Sequence, residues 1–172
     1  MSFYKSNLVK SSINISGGGC EDSVNFINSR GKELNLIIND SFADALDADF
    51  SNLSFSSLNI NNAGNDCFDV SGGMYKIEYA LLNNCKDKAL SIGEKSTLFS
   101  DKIFTNNSNI AIAVKDFSKA EISLFEVKNA NLCAEIRQKK QEFGGATLFI
   151  NNFKCEADIL IDSASKFEKN IE

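Results

Sequence analysis

DCFDVSGGMYKIEYALLNNCKDKALSIGEKS, residues 66–96, holds one full period of a repeat, and the rest of the chain can be laid over it. Its apolar–polar–apolar triplet Phe68-Asp69-Val70 recurs 22 residues earlier as Leu46-Asp47-Ala48, and 22 before that as Val24-Asn25-Phe26. Forward steps of 22 give Leu90-Ser91-Ile92, Ile112-Ala113-Val114 and Ala134-Glu135-Ile136. A fixed period of this length marks a solenoid, in which each repeat stacks only on its neighbours. Alternate side chains of a strand point to opposite faces, so the outer two residues of each triplet face the core and the middle one faces out. Two places on lies a second outward column: Ile27, Asp49, Ser71, Gly93, Lys115, Arg137.

A second alternating segment follows each triplet: Ile37-Ile38-Asn39, Asn59-Ile60-Asn61, Leu81-Leu82-Asn83 and Ile103-Phe104-Thr105. Asp40, Asn62, Asn84 and Asn106 come after these segments at 22-residue intervals, a polar ladder whose side chains can hydrogen-bond to their copies in adjacent coils. Turn residues share a phase (Ser51-Asn52, Ser71-Gly72-Gly73, Lys95-Ser96, Phe117-Ser118), and no crossover helix fits between triplet and turn. The chain therefore reads as an all-β parallel β-helix of about seven coils, roughly 22 residues each and about 4.8 Å apart. Arg137–Gly145 adds about four residues, expected to bulge as a loop before the strands Thr147–Ile150 and Asp158–Asp162. One domain is expected over 1–172: residues 1–12 as an N-terminal cap, 13–162 as coils, and 163–172 as a tail with a short helix from Ser165.

Composition narrows the function classes. The net charge of −5 argues against nucleic acid as a partner, because phosphate binding needs a basic field. The absence of His removes Ser-His-Asp and Cys-His catalysis and the commonest transition-metal ligand. The absence of Pro suits a chain committed to ladders, since proline lacks the N–H that a ladder uses. No run approaches the roughly 20 apolar residues that span a bilayer, so membrane insertion is not expected. The first residues lack the apolar core of a signal peptide, so the chain is cytoplasmic as written, or extracellular if it is a piece of a longer exported protein. The five Cys are odd in number and show no C-x-x-C spacing, which argues against zinc. Cys67 and Cys133 share a column three coils apart and cannot pair with each other, so the cysteines are expected as buried free thiols.

These residues resemble the right-handed parallel β-helix repeat family, the framework of pectate-lyase-like proteins, over nearly the whole chain. More narrowly, GNDCFDVSGG (64–73), DKALSIGEKS (87–96), IAVKDFS (112–118) and QKKQEFGG (138–145) resemble a block in bacterial β-helix repeat proteins. Some of these carry the block behind spore-coat-kinase-like or lamin-tail-like modules on exported chains. The resemblance implies a right-handed coil and a module that binds or processes polysaccharide.

Two outward constellations carry candidate chemistry. Asp47 and Asp69 stack in adjacent coils, with Asp44, Asp49 and Asp66 nearby. Polygalacturonase-like hydrolases of the resembled superfamily use clustered Asp on such a face, one as acid and one as base. Clustered carboxylates are also consistent with a Ca²⁺ site at Asp47 and Asp69; no other cofactor is expected. The plainer account is a solvated polar face. Lys115 and Arg137 form the second constellation, with Glu135, Lys139 and Lys140 beside them. Alginate-lyase and chondroitinase-B-like enzymes use a Lys base and an Arg in neighbouring coils, where the Arg neutralises a uronate carboxylate. The plainer account is ion pairing of Lys115 with Glu135 or Asp116, and of Glu94 with Lys95 or Lys115. The expected function is a non-enzymatic scaffold or carbohydrate-binding module of a larger bacterial surface or exported protein. Its binding residues are Lys115, Glu135, Arg137, Lys139 and Lys140, its partner an acidic polysaccharide. The alternative is a lyase or glycoside hydrolase on the same polymer, with Lys115 and Arg137 as the lyase residues. Open terminal coils lead to an expectation of end-to-end homo-oligomers.

Overall fold

Among the described residues every ladder is parallel, and the triplets pair with one another at the 22-residue step. Leu46, Asp47 and Ala48 pair with Phe68, Asp69 and Val70, and Leu90, Ser91 and Ile92 with Ile112, Ala113 and Val114. A computed structural model describes residues 1–170, which hold twelve strands and no helix. These are β1 (Ser2–Tyr4), β2 (Asn7–Val9), β3 (Ser12–Ser16), β4 (Asp22–Ile27), β5 (Arg30–Ser41), β6 (Asp44–Ala63), β7 (Phe68–Gly93), β8 (Thr97–Lys115), β9 (Lys119–Arg137), β10 (Thr147–Lys154), β11 (Asp158–Ile161) and β12 (Lys166–Lys169). The chain is a parallel β-solenoid of about eight turns. The longest strands, β6 to β9, wrap around corners rather than running straight.

The facing follows the alternation. Val24, Phe26, Leu46, Phe68, Val70, Leu90, Ile112 and Ile136 are fully buried, whereas Asp47 and Asp69 are half-buried on the outer surface. Burying each large apolar side chain contributes about 1.5–3 kcal/mol. Inward columns from the other two segments complete the core: Leu53, Tyr75, Leu98, Ala120 and Leu148 in one, and Leu36, Leu58, Ala80, Ile103 and Phe125 in another.

The corners explain the Asn and Gly usage. Asp40, Asn62, Asn84, Asn107 and Asn129 all adopt left-handed backbone, which Asn and Asp tolerate better than other side chains. Their amides form the expected ladder: Asn62 Nδ2 donates to Asp40 Oδ1 at 2.8 Å, Asn84 to Asn62 at 2.9 Å and Asn107 to Asn84 at 2.9 Å. The fourth rung is Asn107, not the expected Asn106. One extra residue enters at the Gly93–Ser96 corner, so Met74 pairs with Thr97, 23 on, and Leu81 with Phe104; the register returns to 22 between Cys85 and Lys88. Gly73 is required at the corner equivalent to Gly93–Ser96, one coil earlier: its φ is +93°, and a Cβ there would sit 2.1 Å from the Ser51 carbonyl oxygen.

Two expectations are corrected. The cysteines are not all free thiols: Cys67 bonds to Cys85 and Cys133 to Cys155, with Cα atoms 5.3 and 6.0 Å apart, and Cys20 is free and exposed. A spacing of 18 residues falls just short of one coil, so the corner brings Cys85 back beside Cys67 in a different column. The tail from Ser165 is a strand instead of a helix. There β12 pairs with β10, placing Phe167 on the inward column of Leu148; residues 171–172 of that tail lie outside the described residues. At the other end, residues expected as a cap join the ladders, β1 on β4 and β2 and β3 on β5. The outermost strands β1, β2, β3, β11 and β12 each have a single ladder partner and present an outer edge.

Candidate functional site

The outward triplet face is acidic toward one end and basic toward the other. Asn25, Asp47, Asp69, Ser91, Ala113 and Glu135 form its central column, one ladder step apart. Asn25 Nδ2 donates to Asp47 Oδ2 at 2.8 Å and to Asp22 Oδ2 at 2.9 Å. The Asp47 carboxyl is pushed up to about 8, first by burial and then by the carboxylates of Asp49, Asp22, Asp69 and Asp44. Burial also raises Asp44 and Asp49, with neighbouring carboxylates adding to it.

Asp66, at the corner leading into this face, is 3% exposed. It accepts the Lys88 backbone N–H at 2.9 Å and lies 3.4 Å from Lys88 Nζ. Burial outweighs these contacts and pushes Asp66 up to about 6. Lys88 also pairs with Asp87. Burial alone would raise Asp87, but the Lys88 ammonium and the Asn109 amide hold it below its usual range; burial alone would lower Lys88, and the two carboxylates hold it up.

At the basic end Lys115 is only 7% exposed. Its stem passes over Gly93, where a Cβ would lie 3.7 Å from Lys115 Cε, and its Nζ donates to Ser91 Oγ at 2.8 Å. Burial lowers the Lys115 amine; the attraction of Asp69 opposes this, while Lys139 and Lys88 reinforce it. Arg137 pairs with Lys115 in the ladder, as the 22-residue column requires. Its Nε sits 3.0 Å from Glu135 Oε2, an ionic contact without the alignment of a hydrogen bond. Lys140 Nζ pairs with Glu94, which holds its ammonium above the usual range.

The 138–145 insertion folds back onto the corner beside this face. Asp116 Oδ1 accepts the backbone N–H groups of Lys139 and Lys140 at 2.6 and 2.9 Å. Phe143 packs edge-on against Phe117 at 6.2 Å. Gly144 permits this approach, because a Cβ there would fall 2.2 Å from the Phe117 ring.

The structure thus brings Asp47 next to Asp69, Lys115 next to Arg137, and Lys139 and Lys140 onto the adjoining corner. The ion pairs differ from the expected ones: Glu135 goes to Arg137 and Glu94 to Lys140. Among the described residues no group of three or more Cys, Asp or Glu side chains is arranged to hold a metal ion. Sequence reasoning missed Asp22 and Ser91 as partners; Lys88 was expected in a corner ion-pair series with Lys86 and Asp87, and it pairs with Asp87 and Asp66. The Ser91–Lys115 contact had a signal: Gly93, one coil before Lys115 in its own column, leaves room for the stem to lie back.

Chemically, the face offers paired charges and, at Asp47, a carboxyl that burial and neighbouring carboxylates push toward its protonated form; its middle rungs, Ser91 and Ala113, are buried. Surface grooves lie on other faces, one lined by Tyr79, Asn83, Phe104 and Asn106 and another by Val127, Asn129, Lys154 and Ala157. No family model, no curated protein and no solved structure matches this chain.

Proposed function

We propose that this chain is a non-enzymatic β-solenoid module that serves as a scaffold and binds acidic polysaccharide along the C-terminal edge of its outward triplet face. The observation that carries this reading is how the charges there are spent. Lys115 is given to Ser91, Arg137 to Glu135, Lys140 to Glu94 and Lys88 to Asp66, so charged groups run along the coils instead of converging on one reacting point. A rigid row that repeats at every coil suits a repeating polymer, and binding residues concentrate on loops held by such scaffolds. The resemblance to pectate-lyase-like and bacterial β-helix repeat proteins supports polysaccharide as the ligand class. Two disulfides suit an exported or surface location. In this reading Arg137, Lys139 and Lys140 meet the carboxylates, Glu135 orients Arg137, and Lys115 adds positive field from beneath. Binding of oligogalacturonate measured by calorimetry tests it. Arg137→Ala and Lys139→Ala should each weaken binding while leaving the melting temperature in place. Parent-like binding by both variants, or no acidic glycan bound by the parent, would sink the assignment.

A second reading, a polysaccharide lyase, draws on the lowered Lys115 amine beside Arg137, the combination that proton abstraction next to a carboxylate needs. It is the weaker reading because that amine is buried against Ser91. Absorbance of an unsaturated product from a uronate polymer separates the two.

A further inference from the structure

A different face of the solenoid carries a second set of exposed groups that the fold does not use up. Outward residues Tyr79, Leu81 and Asn83 of β7 stand beside Phe104 and Asn106 of β8, and beyond these lie Glu126 and Lys128 of β9. Leu81 pairs with Phe104 and Asn83 with Asn106 in one ladder; Phe104 pairs with Glu126 and Asn106 with Lys128 in the next. The Tyr79 and Phe104 rings lie 5.6 Å apart, tilted by 41°, and Tyr79 is 42% exposed. Together with Leu81 they form an apolar platform three side chains wide in a shallow groove.

The amides bordering this platform differ from those of the corner ladder. Asn62, Asn84 and Asn107 donate to one another or to Asp40 along the corner. One column over, Asn106 uses only its oxygen, accepting from Asn129 Nδ2 at 2.9 Å, and the Asn83 side chain has no partner among the described residues. Each such rung offers free donors and acceptors next to an aromatic face. Glu126 is paired with Lys154 at 2.5 Å, which leaves the Lys128 ammonium as the one uncompensated charge among the residues lining the groove.

We infer that this groove binds a linear neutral oligosaccharide, its chain running along the solenoid axis. The inference rests on the carbohydrate-binding reading above and assigns it a second site and a second ligand class. A pyranose has one face of C–H bonds that packs on an aromatic ring, and a rim of hydroxyls that both donate and accept. Tyr79 and Phe104 supply the first contact, Asn83 and Asn106 the second. Coils repeat at about 4.8 Å, close to the length of one pyranose along its chain, so consecutive sugars meet consecutive rungs. A phosphate or uronate polymer needs a cation at each unit, and the groove lining offers a single uncompensated one, Lys128. A β-strand partner would need an open backbone edge, and the strands here are paired on both sides.

Titration of the whole chain with neutral β-1,4-linked glucose and mannose hexamers, followed by calorimetry and amide NMR shifts, tests this, with an oligogalacturonate hexamer as the acidic comparison. A neutral hexamer should bind saturably and shift the amides around Tyr79, Asn83 and Phe104. Tyr79→Ala and the near-isosteric Asn83→Leu should each weaken it about tenfold. Binding of the acidic hexamer alone overturns this site and leaves the proposed function standing, whereas binding of neither kind removes both. Neutral binding unaffected by Tyr79→Ala and Asn83→Leu also overturns the assignment.

Discussion

Asp47→Asn should stabilise the protein at pH 8 and do little at pH 4. Asp47 sits half-buried among Asp22, Asp44, Asp49 and Asp69, and its carboxyl is pushed from 3.8 up to about 8. An acid whose folded value is raised holds its proton more tightly when folded than when unfolded. The resulting stability is complete below about pH 4 and is lost as pH rises toward 8. At 1.36 kcal/mol per unit the whole shift would amount to about 5–6 kcal/mol in a dry site. Solvent reaches the outer sheet face, and screening reduces this to roughly 2 kcal/mol. Asparagine keeps the shape and can still accept from Asn25 Nδ2, the contact that Asp47 makes at 2.8 Å. For a domain of this size roughly 2 kcal/mol corresponds to about 4–8 °C in melting temperature. Thermal unfolding of parent and variant at pH 4, 6 and 8 measures it: the curves should coincide at the acid end and separate steadily above. Parallel profiles from pH 4 to 8, or a variant that melts lower at pH 8, would refute the claim that repulsion and burial at Asp47 load the folded state.

The Cys67–Cys85 bond closes an 18-residue loop, so the double variant Cys67→Ser/Cys85→Ser should lose about 3 kcal/mol. Denaturant unfolding with and without reductant checks this, and an unchanged midpoint, or both thiols found free by alkylation and mass spectrometry in oxidised protein, counts against the bond. Ser91→Ala alone leaves the buried Lys115 amine without its acceptor and should cost about 1–3 kcal/mol. Adding Lys115→Met keeps the stem, removes the buried charge and should recover most of that loss; strictly additive losses in the double-mutant cycle would show that the two side chains do not interact.

The solenoid was legible because its signal is redundant. Six triplets at one spacing set both the period and the facing, and a strand slipped by one residue would put Phe68 outside and Asp69 inside, which the burial of Phe68 rules out. The shift from Asn106 to Asn107 was hidden by compensation. One residue enters after Gly93 and one is lost between Cys85 and Lys88, so the triplets on either side keep the step of 22 and conceal a coil that is out of phase in between. The disulfides were missed for a different reason. Cys67 and Cys133 share a column and are correctly too far apart, but Cys67 and Cys85 lie in different columns, brought together by turn geometry that spacing alone does not carry, whereas the 22-residue spacing of Cys133 and Cys155 equals one period and was overlooked.

The candidate site divides along the same line. Its charged residues were legible because a column is a property of the period; their partners were not, because a long side chain chooses among several rungs. Lys115 reaches back 24 residues to Ser91, Lys88 reaches 22 to Asp66, and Lys140 reaches 46 to Glu94 through a loop outside the repeat. Parallel in-register stacking gives these choices their energetic weight. Residues in one column are fixed at about one strand spacing from each other, so a short acid cannot move away from its copy in the next coil. A long base can lean diagonally to a hydroxyl or a carboxylate. On this face, therefore, Asp47 relieves its burial and the repulsion of its neighbours by holding a proton, while lysines and arginine find partners. The acidic end of the face is thereby sensitive to pH between about 4 and 8, and the basic end is locked by contacts between coils.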